Sequence, residues 1–417
     1  MSGRRTAGGP IIGKVLQRSS ETAKTMLRAT LPFRKALSDQ TAGQKKIHRR
    51  DYLPEGLLPV IDQGVAPVAG YTNDQLTAYR GPLPVLLFGD HTRLFKYVDF
   101  PFALGADGVK VLQPAPWYEP KFLYYYLQTQ DIPSRGYSRH FKFVRQLQFP
   151  LIPLSEQRRI VEILDQADRL RRLRAEADAK ADRILPALFI KMFGDPATNP
   201  MGWPEETLGS LARIVTGNTP STKKPEYYGS FLPWARPADL DTEPVLTTTE
   251  TMLSEKGCQV ARVIPAGSTL VVCIGATLGK VGLAGKEMAV NQQINAVLPS
   301  KSLANEFLFT HCRLIAEHFR GAATKSTLPI LNKSKFAAQR IMVPPLERQE
   351  LFASYARQYL ATHKLRKMSA ETLMALFFGL LHRAFSGSLT ASWREAHMKE
   401  LLQEMEQQAK ALENASG

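Results

Sequence analysis

The stretch PLSEQRRIVEILDQADRLRRLRAEADAKADRILPALFIKMFG, residues 153–194, has a second version in PLERQELFASYARQYLATHKLRKMSAETLMALFFGLLHRAFSG, residues 345–387. Gln157 and Gln349 lie 192 positions apart, and that single offset holds without a gap to the far end of both stretches. It pairs Ile160 with Phe352, Ile163 with Tyr355, Leu173 with Leu365, Ile184 with Leu376, Leu188 with Leu380 and Phe193 with Phe385. The chain is a duplication, and its architecture has to be used twice.

Within the first stretch, apolar residues recur at 160, 163/164, 167, 170, 173, 177, 181, 184/185 and 188. A spacing near 3.5 is that of a helix packed lengthwise against another helix. Acids precede bases by four residues at Asp165 and Arg169, Asp168 and Arg172, and Glu176 and Lys180; such pairs support a helix by roughly 0.2–0.5 kcal/mol each. One unbroken helix from Ser155 to Phe193 would extend about 60 Å at 1.5 Å per residue. Pro186 is expected to kink or divide it.

At 417 residues the chain can hold two or three domains with their own cores. Residues 1–30 are basic and acid-poor, and read as an arm or short helix. Residues 31–150 form short strand-like pieces broken by Gly, Pro and Asp, with one helical piece, YEPKFLYYYLQTQ, which predicts a β-rich or α+β domain. Residues 151–200 hold the first helical region and its linker, and 201–342 a second globular segment. Residues 343–390 form the second helical region and 391–417 a helical tail, read as a partner-docking helix or a frayed, solvated end. The globular segments echo each other faintly: Leu87-Phe88-Gly89 matches Cys273-Ile274-Gly275, and Leu58-Pro59-Val60 matches Leu232-Pro233-Trp234. The expected fold class is α+β. Two β-rich heads are separated by two long antiparallel helices forming a coiled coil, with a pseudo-twofold internal repeat.

Lys and Arg number 54 against 38 Asp and Glu, a formal charge of +16, which points to a polyanionic partner such as nucleic acid. Cys258, Cys273 and Cys312 form no CxxC pair, so neither a disulfide framework nor a cysteine zinc site is indicated, and a cytoplasmic setting is expected. No apolar run approaches the roughly 20 residues that span a bilayer, so no membrane partner is expected. Gly275-Ala276-Thr277-Leu278-Gly279-Lys280-Val281 resembles a phosphate loop but has three residues between its glycines and a valine after the lysine. It reads as a glycine turn. Asp239, Asp241 and Glu243 read as a solvated loop, since no lysine at catalytic spacing accompanies them. No HExxH, nucleophile elbow, dinucleotide fingerprint or Asn/Asp-Pro-Pro-Tyr is present, so no catalytic or metal-binding residues are assigned.

Candidate nucleic-acid contacts are loop positions mixing bases with polar side chains. In the first globular segment these are Lys45, Lys46, Arg49, Arg50, His91, Arg93 and Lys96, then Arg135, Tyr137, Ser138, Arg139, His140 and Lys142. In the second they are Thr216, Asn218, Thr219, Ser221, Lys223, Lys224, Thr277 and Lys280, then Thr324, Lys325, Ser326, Asn332 and Lys333. Lys and Arg supply phosphate affinity, whereas Arg, Asn, His, Ser and Thr placed at a groove read base edges.

With these residues in view the chain resembles the specificity subunits of type I restriction-modification systems. The resemblance covers nearly its whole length and is carried by FPLIPLSEQRRIVEILDQAD and IMVPPLERQELFASYARQ, supported by TLGSLARIVTGNTPS, LPWARPADL and GATLGKVG. The first head departs from the pattern in lacking a Thr-Gly-x-Thr-Pro-Ser element. The resemblance implies a non-catalytic subunit with two target-recognition domains. These would read a bipartite, asymmetric site on double-stranded DNA, held apart by the helices. DNA methyltransferase subunits would pack on the helices, with Gln157, Ile160, Ile163, Leu188, Gln349, Phe352, Tyr355 and Leu380 as the expected contacts. Restriction and translocase subunits would complete the assembly. No cofactor is expected on this chain; S-adenosylmethionine, ATP and magnesium would be bound by the partners. Alternative readings are the recognition subunit of another multi-subunit methyltransferase-nuclease, and a self-sufficient DNA-modifying enzyme.

Overall fold

The computed structural model describes residues 29–414 apart from 106–107, 135, 137, 242 and 325–326, and for Asp241 the backbone alone. Nearly all of the expected basic arm thus lies outside the described residues, and Thr30 already belongs to a strand. The main helices are α1 (Pro120–Gln128), α2 (Leu154–Ala181), α3 (Ile184–Phe193), α4 (Asn305–Leu314), α5 (Leu346–Phe385), α6 (Ala391–Ala396) and α7 (Met398–Asn414). The chain forms two compact units. One takes the described residues up to Arg172 and those from Thr372 onward, and the other takes Leu173–Glu371. Both boundaries fall inside long helices, so α2 and α5 each give one part to each unit.

In the first unit, Thr30–Pro32 pairs antiparallel with Gln148–Pro150 and closes the neck of a head. An antiparallel sheet runs in the order Leu37–Asp39, Val109–Pro114, Val85–Gly89, Phe95–Val98. Val85–Gly89 is buried at every position, as a continuous apolar run covered on both faces should be. A second sheet has the order Lys46–Ile47, Ala103–Gly105, Leu58–Ile61, Gly70–Thr72. Pro120 starts α1, where its missing N–H costs nothing, and α1 buries Phe122, Leu123, Tyr125 and Leu127. This face meets α5: the Phe122 and Phe385 rings lie 5.4 Å apart and those of Tyr125 and Phe377 6.1 Å apart. At the far end of this part of α2, the Arg171 guanidinium lies 4.7 Å over Phe377, while Glu156 at its start reaches Thr390 and Arg394. The two helices are therefore antiparallel.

As far as Asn414 the tail packs on the first unit. Arg394 places Nε 2.9 Å from Glu156 Oε1, with Thr390 Oγ1 donating to the same oxygen at 2.6 Å. Glu404 accepts from the Ser155 N–H at 3.0 Å and from its hydroxyl, so a carboxylate from α7 sits on the first turn of α2, where the helix dipole favours negative charge. Leu401 and Leu412 are buried.

The second unit repeats the plan. Glu205–Thr207 pairs with Arg340–Met342 at the neck. Its larger sheet runs Ile214–Thr216, Ile294–Val297, Thr269–Val272, Val281–Ala284, with Val245–Leu246 added at the edge, parallel to its neighbour. Its smaller sheet is Met252–Leu253, Tyr228–Ala235, Met288–Val290, Val263–Ile264. Here the edge strand Val263–Ile264 is antiparallel to Met288–Val290, whereas in the first head Lys46–Ile47 is parallel to Ala103–Gly105. Phe189 and Phe193 of α3 pack on Phe307 of α4 and Phe352 of α5, with ring separations from 5.0 to 5.7 Å. Asp178 faces Arg366 at 3.7 Å and Asp182 faces Tyr359 at 3.1 Å, so the antiparallel sense recurs.

The two repeated glutamines explain the pattern that opened the sequence. Gln157 accepts from the Glu119 N–H at 2.8 Å and donates to the Ile152 and Trp117 carbonyls. Gln349 accepts from the Ala304 N–H at 3.1 Å and donates to the Pro344 and Ser302 carbonyls. Each fastens the start of a long helix to the segment that leads into the helix of the preceding head, and each is fully buried. A charge clasp lies beside each. In the first unit Lys121 of α1 meets Asp165 of α2 at 2.6 Å, and Asp165 therefore serves the head rather than Arg169. In the second, Glu306 of α4 meets Arg357 of α5 at 3.1 Å, the same clasp with its signs exchanged.

The fold is α+β with an internal repeat and antiparallel helices, as the sequence implies. The expected division at Pro186 falls at Asp182 and Arg183. A proline ring clashes with the carbonyl four residues before it and is tolerated in a first turn, where Pro186 now sits in α3.

Candidate nucleic-acid interface

In the second head three of the sequence-selected groups converge at one end of the larger sheet. Gly217 follows the strand Ile214–Thr216, and a Cβ there would come within 2.1 Å of the Val290 carbonyl oxygen, so only glycine lets this loop lie against the 291–293 turn. Thr219 bonds Gln292 through its hydroxyl, and Asn291 Nδ2 donates to Thr219 at 3.2 Å. On the other side of that turn the Cys273 N–H donates to the Gln293 carbonyl at 2.7 Å. This brings in the turn containing Thr277 and Lys280, with Gly275 and Gly279 at φ 93° and 91°. The Gly275 N–H donates to the Pro329 carbonyl and the Leu331 N–H to the Cys273 carbonyl, adding the segment 329–332.

Not every candidate is available. Asn218 spends its amide on the main chain, accepting from the Arg262 N–H at 2.7 Å and donating to the Val260 carbonyl at 2.8 Å. Thr216 donates to Asn295 at 2.6 Å. Asn332 caps the helix Lys333–Ala337 by accepting from the Lys335 N–H. These three are structural pins. Thr219, Ser221, Lys223, Lys224, Thr324 and Lys333 are exposed, Thr277 and Lys280 half-buried, and Lys325 and Ser326 lie outside the described residues.

The sequence reading passed over the residues that complete this rim. Arg236, Glu250 and Gln293 join Thr277 and Lys280 around an open concavity of about 480 Å³. Asp239, expected in a solvated loop, is buried, and its carboxylate accepts from the Arg236 and Glu250 N–H groups at 2.8 and 3.0 Å. Arg236 in turn pairs with Glu250 at 2.5 Å.

In the first head the organising residue is Asp90, also unforeseen. Its carboxylate accepts from the His140 and Phe141 N–H groups at 2.7 Å each, and its carbonyl lies 2.8 Å from His140 Nδ1. His140 is therefore completely buried and cannot touch a nucleic acid. Lys96, half-buried, donates to the Ala66 carbonyl at 2.6 Å and so tethers a loop; burial lowers its pKa. Arg93, at φ 63°, donates to the Ile132 carbonyl. The His91 N–H donates to Gln63, and Ser138 buries its hydroxyl. Lys45, Lys46, Arg49, Arg50, Arg139 and Lys142 are exposed, and Arg135 and Tyr137 lie outside the described residues. Lys46 lies in the edge strand Lys46–Ile47 of the second sheet, and Arg49 and Arg50 in the short helix that follows it. By the Leu-Pro echo, Asp62 occupies the place of Arg236, so this position carries opposite charge in the two heads.

Among the described residues no group of three or more His, Cys, Asp and Glu is placed to hold a metal ion, and no helix is long and apolar enough to cross a membrane.

A family model for the type I restriction modification DNA specificity domain matches residues 84–180 and 200–373, more than half of the chain. The chain belongs to this family. Among curated relatives of this specificity-domain protein, the HindI specificity subunit of Haemophilus influenzae is 33% identical over 153 residues, 36% of the chain. The EcoR124I/EcoR124II specificity subunit of Escherichia coli is 24% identical over 329 residues, 73% of the chain. The chain spans 33% of the former's length and 80% of the latter's. The fold is shared with the S subunit of a type I restriction-modification system from M. genitalium, with a TM-score of 0.60, 13% identity, and coverage of 86% of this chain and 96% of that one.

The helices of this specificity-domain protein correct the expected partner contacts. Gln157, Ile160, Gln349 and Phe352 are at most 1% exposed, each filling the core of its own unit, so they face no other chain. Ile163, Leu188 and Leu380 are half-buried and Tyr355 is exposed. Other apolar side chains stand in solvent: Leu170, Leu376 and Phe378 in the first unit, and Leu173, Leu351 and Leu365 in the second, each at least 50% exposed. A 3.5 spacing reveals that a face is covered but not by what.

Proposed function

We propose that this protein is the DNA sequence-specificity subunit of a type I restriction-modification assembly, reading a bipartite, asymmetric target with its two heads and performing no catalysis itself. The observation that carries the reading is a scaffold used twice beneath two unlike rims, within a chain of the specificity-domain family. One rim centres on Arg236, Gln293 and Lys280, and its counterpart places Asp62 where the other has Arg236. Unlike rims on like scaffolds suit a target without a palindrome. The excess of cations supplies phosphate affinity that reports no sequence, and the amides and hydroxyls supply selection among bases. Methyltransferase subunits cover the solvent-facing leucines and Phe378 of the helices, a reading supported by the exposure of these large apolar side chains. S-adenosylmethionine, ATP and magnesium belong to those partners and to the restriction subunits.

The test is genome-wide methylation mapping in cells with and without this chain. A split motif present only with the chain is expected; an unchanged methylation pattern refutes the proposal. Purified chain incubated with S-adenosylmethionine and DNA should show no turnover, and methylation by the chain alone would overturn its non-catalytic role.

A further inference from the structure

We infer that the open concavity of the second head is where this head touches base edges, with Gln293 as a base-reading side chain and Lys280 as a phosphate anchor. The inference rests on the proposed DNA-specificity function and deepens it. The concavity measures about 480 Å³ and is lined by Arg236, Glu250, Thr277, Lys280 and Gln293 among others. Enclosed small-molecule sites bury most of their ligand among apolar groups. This one is open, and five of its seven lining residues are charged or polar, beside Pro237 and Ala238, which fits the edge of a large polyanion. It adjoins the exposed Thr219 and Gln292 through the 291–293 turn.

Gln293 is held as a reading group should be. Its N–H donates to Asn291 Oδ1 at 2.8 Å and its carbonyl accepts from Cys273, which fixes the backbone on both sides. Its side chain makes one long hydrogen bond, from Nε2 to the Ile274 carbonyl at 3.4 Å. The amide oxygen and the second N–H remain to meet a donor and acceptor lying side by side. Adenine presents that pair in the major groove, and glutamine is among the side chains that read it. Arg236 is held between Asp239 and Glu250 and forms a fixed wall.

The experiment is selection from a randomised duplex library by the full chain at fixed salt, with thermal unfolding to verify each variant. Gln293→Ala should reduce discrimination at one base pair of one half-site by about five- to a hundredfold, leaving the other half-site intact. Gln293→Glu, of nearly the same shape, should also lose the adenine preference, because it offers no donor. Lys280→Ala should leave the motif whole, weaken binding to all sequences, and make the dependence of log K on log salt shallower by about one. A wild-type motif that survives both Gln293 variants unchanged overturns the inference and leaves the specificity function standing. A wild-type chain that selects no motif overturns both.

Discussion

Replacing Arg394 by alanine should destabilise the first unit by about 3–5 kcal/mol, although it lies far along the sequence from either head. Glu156 is 1% exposed, and Arg394 supplies contacts at 2.9, 3.1 and 2.5 Å to its two oxygens. Without the guanidinium a buried carboxylate is left with the Thr390 hydroxyl as its remaining partner in this network, and orphaning one member of a buried ion pair costs about 3–5 kcal/mol. The Thr390 hydrogen bond places the loss toward the lower end. For a unit of this size each kcal/mol lowers Tm by about 2–4 °C, so the shift should be about 6–12 °C. Urea unfolding followed by circular dichroism measures the free energy, and calorimetry the temperature. Pairing Glu156→Gln with Arg394→Met removes the orphan charge while keeping an acceptor for Thr390, and should return stability to within about 1.5 kcal/mol of the parent. A loss below about 1 kcal/mol in the single variant, or a double variant worse than the single one, would refute the reasoning. Truncation after Gly387 should cost more than the single variant, since it also removes Thr390, the Glu404 contact with Ser155 and the buried Leu401 and Leu412.

Gln157→Ala and Gln349→Ala should each cost about 2–4 kcal/mol, because each strands a buried N–H and two carbonyls; lying in separate units, their effects should add in denaturant titrations. His311 is fully buried, and burial, with a smaller contribution from His318, lowers its pKa to about 3. The unfolded chain takes up a proton as pH falls through about 6.5 while the folded chain does not. Stability is therefore complete above that pH and declines below it, by about 2 kcal/mol at pH 5, and His311→Phe should remove that share of the pH dependence in unfolding titrations. Lys121→Glu should cost about 1 kcal/mol by opposing Asp165 with like charge across a partly exposed clasp, and adding Asp165→Arg, the polarity found in the second unit, should recover most of it in thermal melts. Inserting one heptad between Leu164 and Arg183 should change the distance between the two half-sites of the selected target while keeping both; site selection that returns the original distance would show that the helices do not set it.

The repeat made the architecture legible, since an offset that holds across two long helical stretches implies a scaffold built twice whatever the side chains do. The heads were less legible because burial decides the role of a polar side chain and local sequence does not reveal burial. His140, Lys96 and Asn218 have the composition of a contact loop, yet their hydrogen bonds are spent on Asp90, Ala66, Arg262 and Val260. The residues that were missed had a signal. Asn291, Gln292 and Gln293 interrupt two apolar strands, Met288–Val290 and Ile294–Val297, with three consecutive amides where a tight turn would ordinarily favour glycine or aspartate. Arg236 likewise directly follows the buried end of the strand Tyr228–Ala235. On the helices, Ile160 and Phe352 were read correctly as covered but assigned to another chain, because the periodicity of a covered face is the same whichever molecule covers it.

The glutamine fastenings grip only main-chain atoms: the Glu119 and Ala304 amides and the carbonyls of Ile152, Trp117, Pro344 and Ser302. A joint that senses peptide groups is blind to what is mounted above it. Heads can thus diverge without renegotiating these two fastenings, provided the incoming piece keeps aromatic side chains against the long helices and brings the right sign opposite Asp165 or Arg357.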